Sequence, residues 1–226
     1  MSLFVPAKAR CRTCGAESQQ RLVASVNAVR RPDLRQEILE GTFQALDCEA
    51  CGARLRLPIH LSYLDIGRGQ WILAEGTEEL ARWQAVEADA QGVFDRTYGR
   101  QAPALAQEIG TALRPRLVFG WTALRETLLA DEAGLDPVTL EILKLAVIRN
   151  VPDAPLADTT ELRLIAADDE SLLFAWVDLA SEDHLATLPV QHRLYDAIVT
   201  DAPAWAAVSA GLEGRLFLDL RRLIYA

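Results

Sequence analysis

The chain has 226 residues, half of them hydrophobic and 24% charged, with a formal net charge of −9. That length suits one large domain or two small ones, and that balance is the one expected of a folded soluble protein. An acidic body excludes nucleic acid and anionic membrane as partners unless a basic face is segregated from it, and no apolar run approaches the ~20 residues that span a bilayer.

At the front of the chain, Met1-Ser2-Leu3-Phe4-Val5-Pro6 has neither a basic n-region nor a long apolar h-region, so no secretory signal is expected. The expected compartment is cytoplasmic. There thiols stay reduced, and paired cysteines mean metal or redox chemistry before disulfides. All four cysteines stand in two matching turns, Cys11-Arg12-Thr13-Cys14-Gly15 and Cys48-Glu49-Ala50-Cys51-Gly52. In a C-x-x-C-G turn both sulfurs point to one side of a tight loop. The glycine can take positive φ and lets backbone N–H groups turn toward the thiolates. Two such turns supply Cys11, Cys14, Cys48 and Cys51 as a closed tetrahedral set for one structural Zn²⁺. A rubredoxin-like iron site would use the same turns; thioredoxin-like redox chemistry is disfavoured because that motif comes singly.

The thirty-three residues between Cys14 and Cys48 exceed a short ribbon's spacing, so folded structure must fill them. Gln20–Asn27 reads as a strand by its β-branched residues. Pro32 opens a helix with Leu34, Ile38 and Leu39 on one face, and Gly41 stops it. Thr42–Leu46 reads as a strand delivering the second turn, and Arg54–Leu57 alternates as it leaves. His60–Asp65 and Gln70–Glu75 form a predicted hairpin around Gly67-Arg68-Gly69.

These residues resemble the CpXC family, bacterial and archaeal proteins with two Cys-Pro-x-Cys motifs. Ser25-Val26-Asn27, Pro32-Asp33-Leu34, Ile38-Leu39-Glu40-Gly41 and Pro58 with Tyr63-Leu64-Asp65 follow that family's intervening pattern. The likeness covers about residues 5–130, more loosely around Arg116–Gly120. Arg12 and Glu49 stand where the family usually has proline, which stiffens the turn but binds no metal. The resemblance implies a metal-binding domain and no particular reaction.

Charge is uneven along the chain. Residues 1–60 carry three more basic than acidic residues, and the remainder twelve more acidic than basic. Arg10, Arg12, Arg54 and Arg56 flank the cysteine turns. They are expected to offset the double negative charge of a Zn(Cys)₄ centre. As a phosphate-binding patch their basic excess is small for a specific nucleic-acid domain. His60 would be a ligand only if one cysteine dropped out.

Further on, Thr77 is a predicted cap for a long helix with Glu78 and Glu79 in its first turn. Leu80, Trp83, Val86, Ala90, Val93 and Tyr98 recur on one face. The stripe with Trp83 and Phe94 should pack on the chain's own core, with a dimer or partner surface as the alternative. After Arg116–Gly120, helices are predicted at Thr122–Glu132 and at Pro137–Arg149, the second capped by Asp136. Asn150-Val151-Pro152-Asp153-Ala154-Pro155 breaks the chain. Glu161–Ala166 and Leu172–Asp178 form a predicted hairpin, Gln191–Thr200 a helix and Gly214–Leu220 a last strand.

No catalytic grouping emerges from the second half. Ser181-Glu182-Asp183-His184 reads as a polar loop, because triads are assembled from distant segments. Asp168-Asp169-Glu170 reads as a solvated turn, and His192 shows no partner. No phosphate loop, dinucleotide fingerprint, zincin helix or nucleophile elbow is present.

The expected architecture is α+β: a zinc-ribbon-like β module with a connecting helix over residues 1–100, and an α+β domain over 101–226. The expected role is non-catalytic, a zinc-stabilised protein acting on a protein partner, with a homo-oligomer as one form of that. The alternatives are a nucleic-acid-binding zinc-ribbon regulator, or an enzyme with its site in the second domain. Steep salt-dependent affinity would mark the first alternative, and a deep polar pocket with perturbed titrating groups the second.

Overall fold

The computed structural model describes residues 4–152, 154–155 and 157–224, the side chain of Ile224 apart. It is an α+β chain in two compact units, Met1–Trp121 and Thr122–Ala226.

The first unit opens with two hairpins. β1 (Phe4–Arg10) pairs antiparallel with β2 (Glu17–Val23), with the first cysteine turn between them. Sequence reading missed β1, whose Pro6 argues against an interior strand but is tolerated in a two-stranded ribbon. The predicted strand Gln20–Asn27 is two strands. β2 stops at Val23, and β3 (Ser25–Asn27) joins a different sheet after Ala24. The next helix, α1 (Pro32–Glu40), is as predicted: proline in its first turn, Leu34, Ile38 and Leu39 buried, and Gly41 at φ 73° closing it. Then β4 (Ala45–Asp47) and β5 (Arg54–Arg56) form the second hairpin, with the second cysteine turn between them.

Ala9, Leu22 and Leu57 are buried together, with Val5, Ala7, Leu46 and Leu55 around them. This apolar cluster joins the two hairpins. Gln44 adds a polar clasp: its Oε1 accepts the Val23 N–H at 2.9 Å, and Leu57 N–H donates to the Gln44 carbonyl at 2.9 Å. Gln44 sits at φ 54°, a left-handed position that non-glycine residues take at some cost.

Beyond the hairpins, β6 (Leu61–Asp65) and β7 (Gln70–Glu75) form the predicted antiparallel pair. With β3 and β8 (Arg114–Phe119) they make a mixed sheet in the order β3-β6-β7-β8. Tyr63, Leu61, Trp71 and Ile72 fill its core. β8 runs parallel to β7, opposing Pro115 to Trp71, and a sheet edge is where a proline fits. That pairing holds residues 114–119 in the first unit, whose compact part runs to Trp121.

The connecting helix starts later than predicted. Thr77–Arg82 is a 3₁₀ turn that Gly76 precedes and no side chain caps, and α2 (Trp83–Thr97) follows. Its buried residues are Val86, Ala90, Phe94 and Asp95, while Val93 is exposed. The tighter 3₁₀ turn shifts the phase, so a helical wheel begun at Thr77 misplaces the stripe. Phe94 meets Trp71 edge to face, centroids 5.3 Å apart, so it is spent inside the unit. A short helix, α3 (Ala104–Gly110), leads to β8.

α4 (Trp121–Glu132), in the second unit from Thr122 on, and α5 (Pro137–Asn150) match their predicted positions, α4 starting one residue earlier. Asp136 caps α5 by accepting the Thr139 N–H at 2.8 Å. The predicted break follows at Val151; Asp153 within it lies outside the described residues. β9 (Thr160–Ala167), β10 (Ser171–Asp178) and β11 (His184–Gln191) form an antiparallel sheet with β10 in the middle. β11 was not expected, because its residues are mostly exposed and show no apolar alternation. α6 (His192–Thr200), a 3₁₀ turn at Ala202–Trp205, α7 (Ala206–Leu212) and α8 (Arg221–Ile224) complete the unit.

The predicted strand Gly214–Leu220 is a correction: the segment is irregular. Its N–H groups have other uses. Leu220 N–H goes to Glu141 Oε2 at 3.0 Å, and Arg221 N–H to Asp219 Oδ1 at 2.9 Å.

The apolar core of this unit runs from Leu140, Leu143 and Val147 through Leu164, Phe174 and Trp176 to Tyr195 and Ile198. Strand alternation sends Glu161 and Arg163 to the opposite face of β9 from Leu162 and Leu164. There they join a buried ionic network. Arg163 holds Glu126 and Asp219, each at 2.9 Å, and also Glu161. Lys144 lies 2.7 Å from Glu126 and 2.5 Å from Glu141. Arg221 Nε reaches Glu161 Oε1 at 2.8 Å. Burial pushes the Glu141 carboxyl up to about 7, against the pull of Lys144. Burial alone would lower Lys144, but Glu126 and Glu141 outweigh it and raise the ammonium.

Among the described residues, no helix is long and apolar enough to cross a membrane.

Candidate metal centre

Each cysteine turn closes by the same two backbone bonds. Gly15 N–H donates to the Cys11 carbonyl at 2.9 Å, and Cys11 N–H to Ala16 at 2.8 Å. In the second turn Gly52 N–H donates to Cys48 at 2.7 Å, and Cys48 N–H to Ala53 at 2.8 Å. Both bends need a left-handed residue after the second cysteine, and Gly15 at φ 75° and Gly52 at φ 71° provide it. Identical local chemistry thus gives identical turns, thirty-three residues apart.

The clasp and the apolar cluster bring the two turns together. The ligand atoms of Cys11, Cys14, Cys48 and Cys51 all lie within 4.8 Å of one another. Across the turns, Cys11 Sγ is 3.7 Å from Cys51 Sγ, and Cys14 Sγ is 3.7 Å from Cys48 Sγ. A disulfide would need about 2.05 Å. Four sulfurs each about 2.3 Å from a central ion stand about 3.8 Å apart at the corners of a tetrahedron. The spacing therefore fits a metal, and all four cysteines are free thiols.

The thiols also pull one another apart in proton affinity. The Cys14 backbone N–H, with that of Thr13, holds the Cys11 thiol down at about 6. At Cys51 the Ala53 N–H favours the thiolate, but hydrogen bonds with Cys14, Cys11 and Cys48 and the cost of burial push it up to about 12. A thiolate therefore forms far more readily at Cys11 than at Cys51, and four thiolates at this spacing would repel one another. A dication among them removes that repulsion, so metal binding should release protons.

The arginines flanking the turns have separate employments. Arg54 pairs with Asp47 at 3.4 Å, and the Arg56 guanidinium lies 4.6 Å from the Trp121 ring centre. Trp121 in turn meets Phe43 edge to face and donates its indole N–H to the Leu57 carbonyl at 2.9 Å. Arg10 and Arg12 are exposed. His60 stands apart from the cysteine cluster, its Nδ1 2.7 Å from Glu75.

Candidates in the second unit take their expected structural places. Asp168 Oδ1 accepts the N–H groups of Glu170 and Ser171, which holds its carboxyl low and builds the β9–β10 turn. Asp178 Oδ1 likewise accepts the N–H groups of Ala180 and Ser181 ahead of β11, and the Ser181 hydroxyl as well, so that hydroxyl is bound to Asp178 and not to His184. His192 has a partner after all, Asp196 one helical turn on at 3.5 Å. Sequence reading missed the ionic network around Arg163. Its signal was Glu141 and Lys144 set inside the strongly apolar run of α5, and Glu161 and Arg163 alternating with Leu162 and Leu164.

No curated protein and no solved structure matches the chain. A family model described as CpXC protein matches residues 9–144, well over half of the chain and all four cysteines. The paired cysteine turns and that match together make the chain a member of the CpXC family.

Proposed function

We propose that Cys11, Cys14, Cys48 and Cys51 hold one structural Zn²⁺, and that the zinc-ribbon-like module so formed serves a non-catalytic role toward a protein partner. The observation that carries the metal reading is the pair of 3.7 Å sulfur–sulfur separations across the two turns. Four thiolates complete a tetrahedron and leave no position for substrate, as in structural zinc sites. Soft sulfur donors in closed tetrahedral geometry favour zinc over harder dications. Metal analysis of protein prepared without added iron should return one zinc per chain. Iron at full occupancy, or cysteines recovered as disulfides, would defeat the zinc assignment.

A protein partner is favoured over nucleic acid by where the charge goes. Arg54 and Arg56 are held by Asp47 and Trp121, and the chain beyond residue 60 is strongly acidic. Phosphate contacts dominate nucleic-acid affinity and need free cations on one face. Titration with labelled duplex and single strands near physiological salt should therefore give only weak, sequence-independent binding. Sub-micromolar affinity that drops in both Arg12→Ala and Arg54→Ala would reverse the preference.

A further inference from the structure

Beside α5 and β9, under the segment carrying Asp219 and Arg221, the second unit holds a cavity of about 270 Å³. Six of its lining side chains are ionisable members of the buried network or its rim: Glu141, Lys144, Glu161, Arg163, Asp219 and Arg221. Ile148, Leu162 and Trp176 supply an apolar wall. Burying charges is costly, and an ionic network that served only the fold would be cheapest packed solid. Here it borders open volume. At ~30 Å³ per water the space equals about nine waters, which is room for a molecule of about that many non-hydrogen atoms.

The charges select the ligand. Four buried carboxyl groups (Glu126, Glu141, Glu161, Asp219) face three cations (Lys144, Arg163, Arg221), so acidic groups outnumber basic ones by one. The cations are committed. Lys144 is held between Glu126 and Glu141, and Arg163 among Glu126, Glu161 and Asp219. Arg221 is tied to Glu161 and to the carbonyls of Asp158 and Thr160. An anion would meet neutralised donors. The carboxylates retain capacity: each oxygen of Glu141 and of Asp219 takes one donor, from Lys144, Leu220, Arg163 or Arg221. A carboxylate oxygen can accept two.

We propose that this cavity binds a small organic cation, a primary amine with an apolar body, whose ammonium is taken by Glu141 and Asp219 while the body lies against Trp176, Leu162 and Ile148. The site lies wholly in the second unit and does not depend on the metal reading.

Calorimetric titration of the full chain at fixed pH and salt with butylamine, cyclohexylmethylamine and phenethylamine tests it. At least one amine should saturate one site per chain. Its uncharged alcohol and carboxylate counterparts should bind at least 30-fold more weakly. Asp219→Asn should lose tenfold or more in amine affinity. Ile148→Phe, which fills the cavity from its apolar side and leaves every ion pair in place, should abolish binding and keeps the test valid if the Asp219 variant misfolds. Equal affinity for amine and alcohol, preference for the carboxylate, no saturable binding by any of the amines, or full binding in Ile148→Phe would each overturn the proposal.

Discussion

Replacing Cys14 with serine should strip exchange protection from the two cysteine hairpins and leave the sheet of the second unit as protected as before. The hairpins span Phe4–Val23 and Ala45–Arg56, yet only Ala9, Leu22 and Leu57 are buried in the cluster that joins them. A fully buried leucine contributes about 1.5–3 kcal/mol. Fixing the backbone of each ordered residue costs roughly 1–2 kcal/mol. Two leucines and an alanine cannot hold some thirty residues by themselves. On the metal site proposed above, the ion supplies the difference: structural zinc sites in small peptides contribute an apparent ~10–16 kcal/mol to folding. A serine hydroxyl does not replace the thiolate, so much of that should go. The second unit keeps its own core from Leu140 to Ile198 and contains none of the four cysteines. Peptide-resolved hydrogen exchange on wild type, Cys14→Ser and chelator-treated protein measures this directly. Equal loss of protection over residues 4–56 and 160–191 would show one cooperative structure in place of two.

Arg163→Met should destabilise the second unit by about 3–5 kcal/mol, the range for removing one partner from a buried ion pair. Arg163 touches Glu126, Glu161 and Asp219, all buried with it. Without it, those carboxylates have only Lys144 and Arg221 to balance them. Methionine fills much of the volume, so the loss reports charge rather than a cavity. The pH dependence separates the two. In the wild type, burial lifts the Glu141 carboxyl from 4.5 to about 7 in the folded chain. A folded value above the unfolded one means the favourable protonated form contributes fully below 4.5 and is lost as pH rises through about 7. Stability of the second unit should therefore fall across that window, and less steeply in Glu141→Gln. In Arg163→Met the unpaired carboxylates can take up protons, so the deficit should shrink as pH falls toward 5. Urea unfolding followed by exchange in Ser171–Asp178 reads both effects. A deficit below 1 kcal/mol that does not change with pH would mean that the network contributes little.

Local chemistry was legible in the sequence. Each cysteine turn is written in five consecutive residues ending in glycine, α1 in Pro32 and Gly41, the start of α5 in Asp136 and Pro137, and the β6–β7 hairpin in Gly67 to Gly69. These signals act over a few residues, through fixed φ angles and single hydrogen bonds. They suffice to pick out the four clustered cysteines and most of the elements.

What only the tertiary structure decided depends on partners far along the chain. Ala24 ends one strand and begins another because β2 finds β1 while β3 finds β6. β8 belongs to the first unit because it pairs with β7, across the intervening helices. The segment before α8 is no strand because Glu141, seventy-nine residues away, takes the Leu220 N–H. The ionic network draws Glu126, Lys144, Arg163 and Asp219 from four separate segments. Lys144 in an apolar helix and Arg163 between leucines hint at burial, but nothing local names their partners. Their burial becomes affordable only when opposite charges arrive from the other segments, and that is a property of the packed chain and of no local stretch of it.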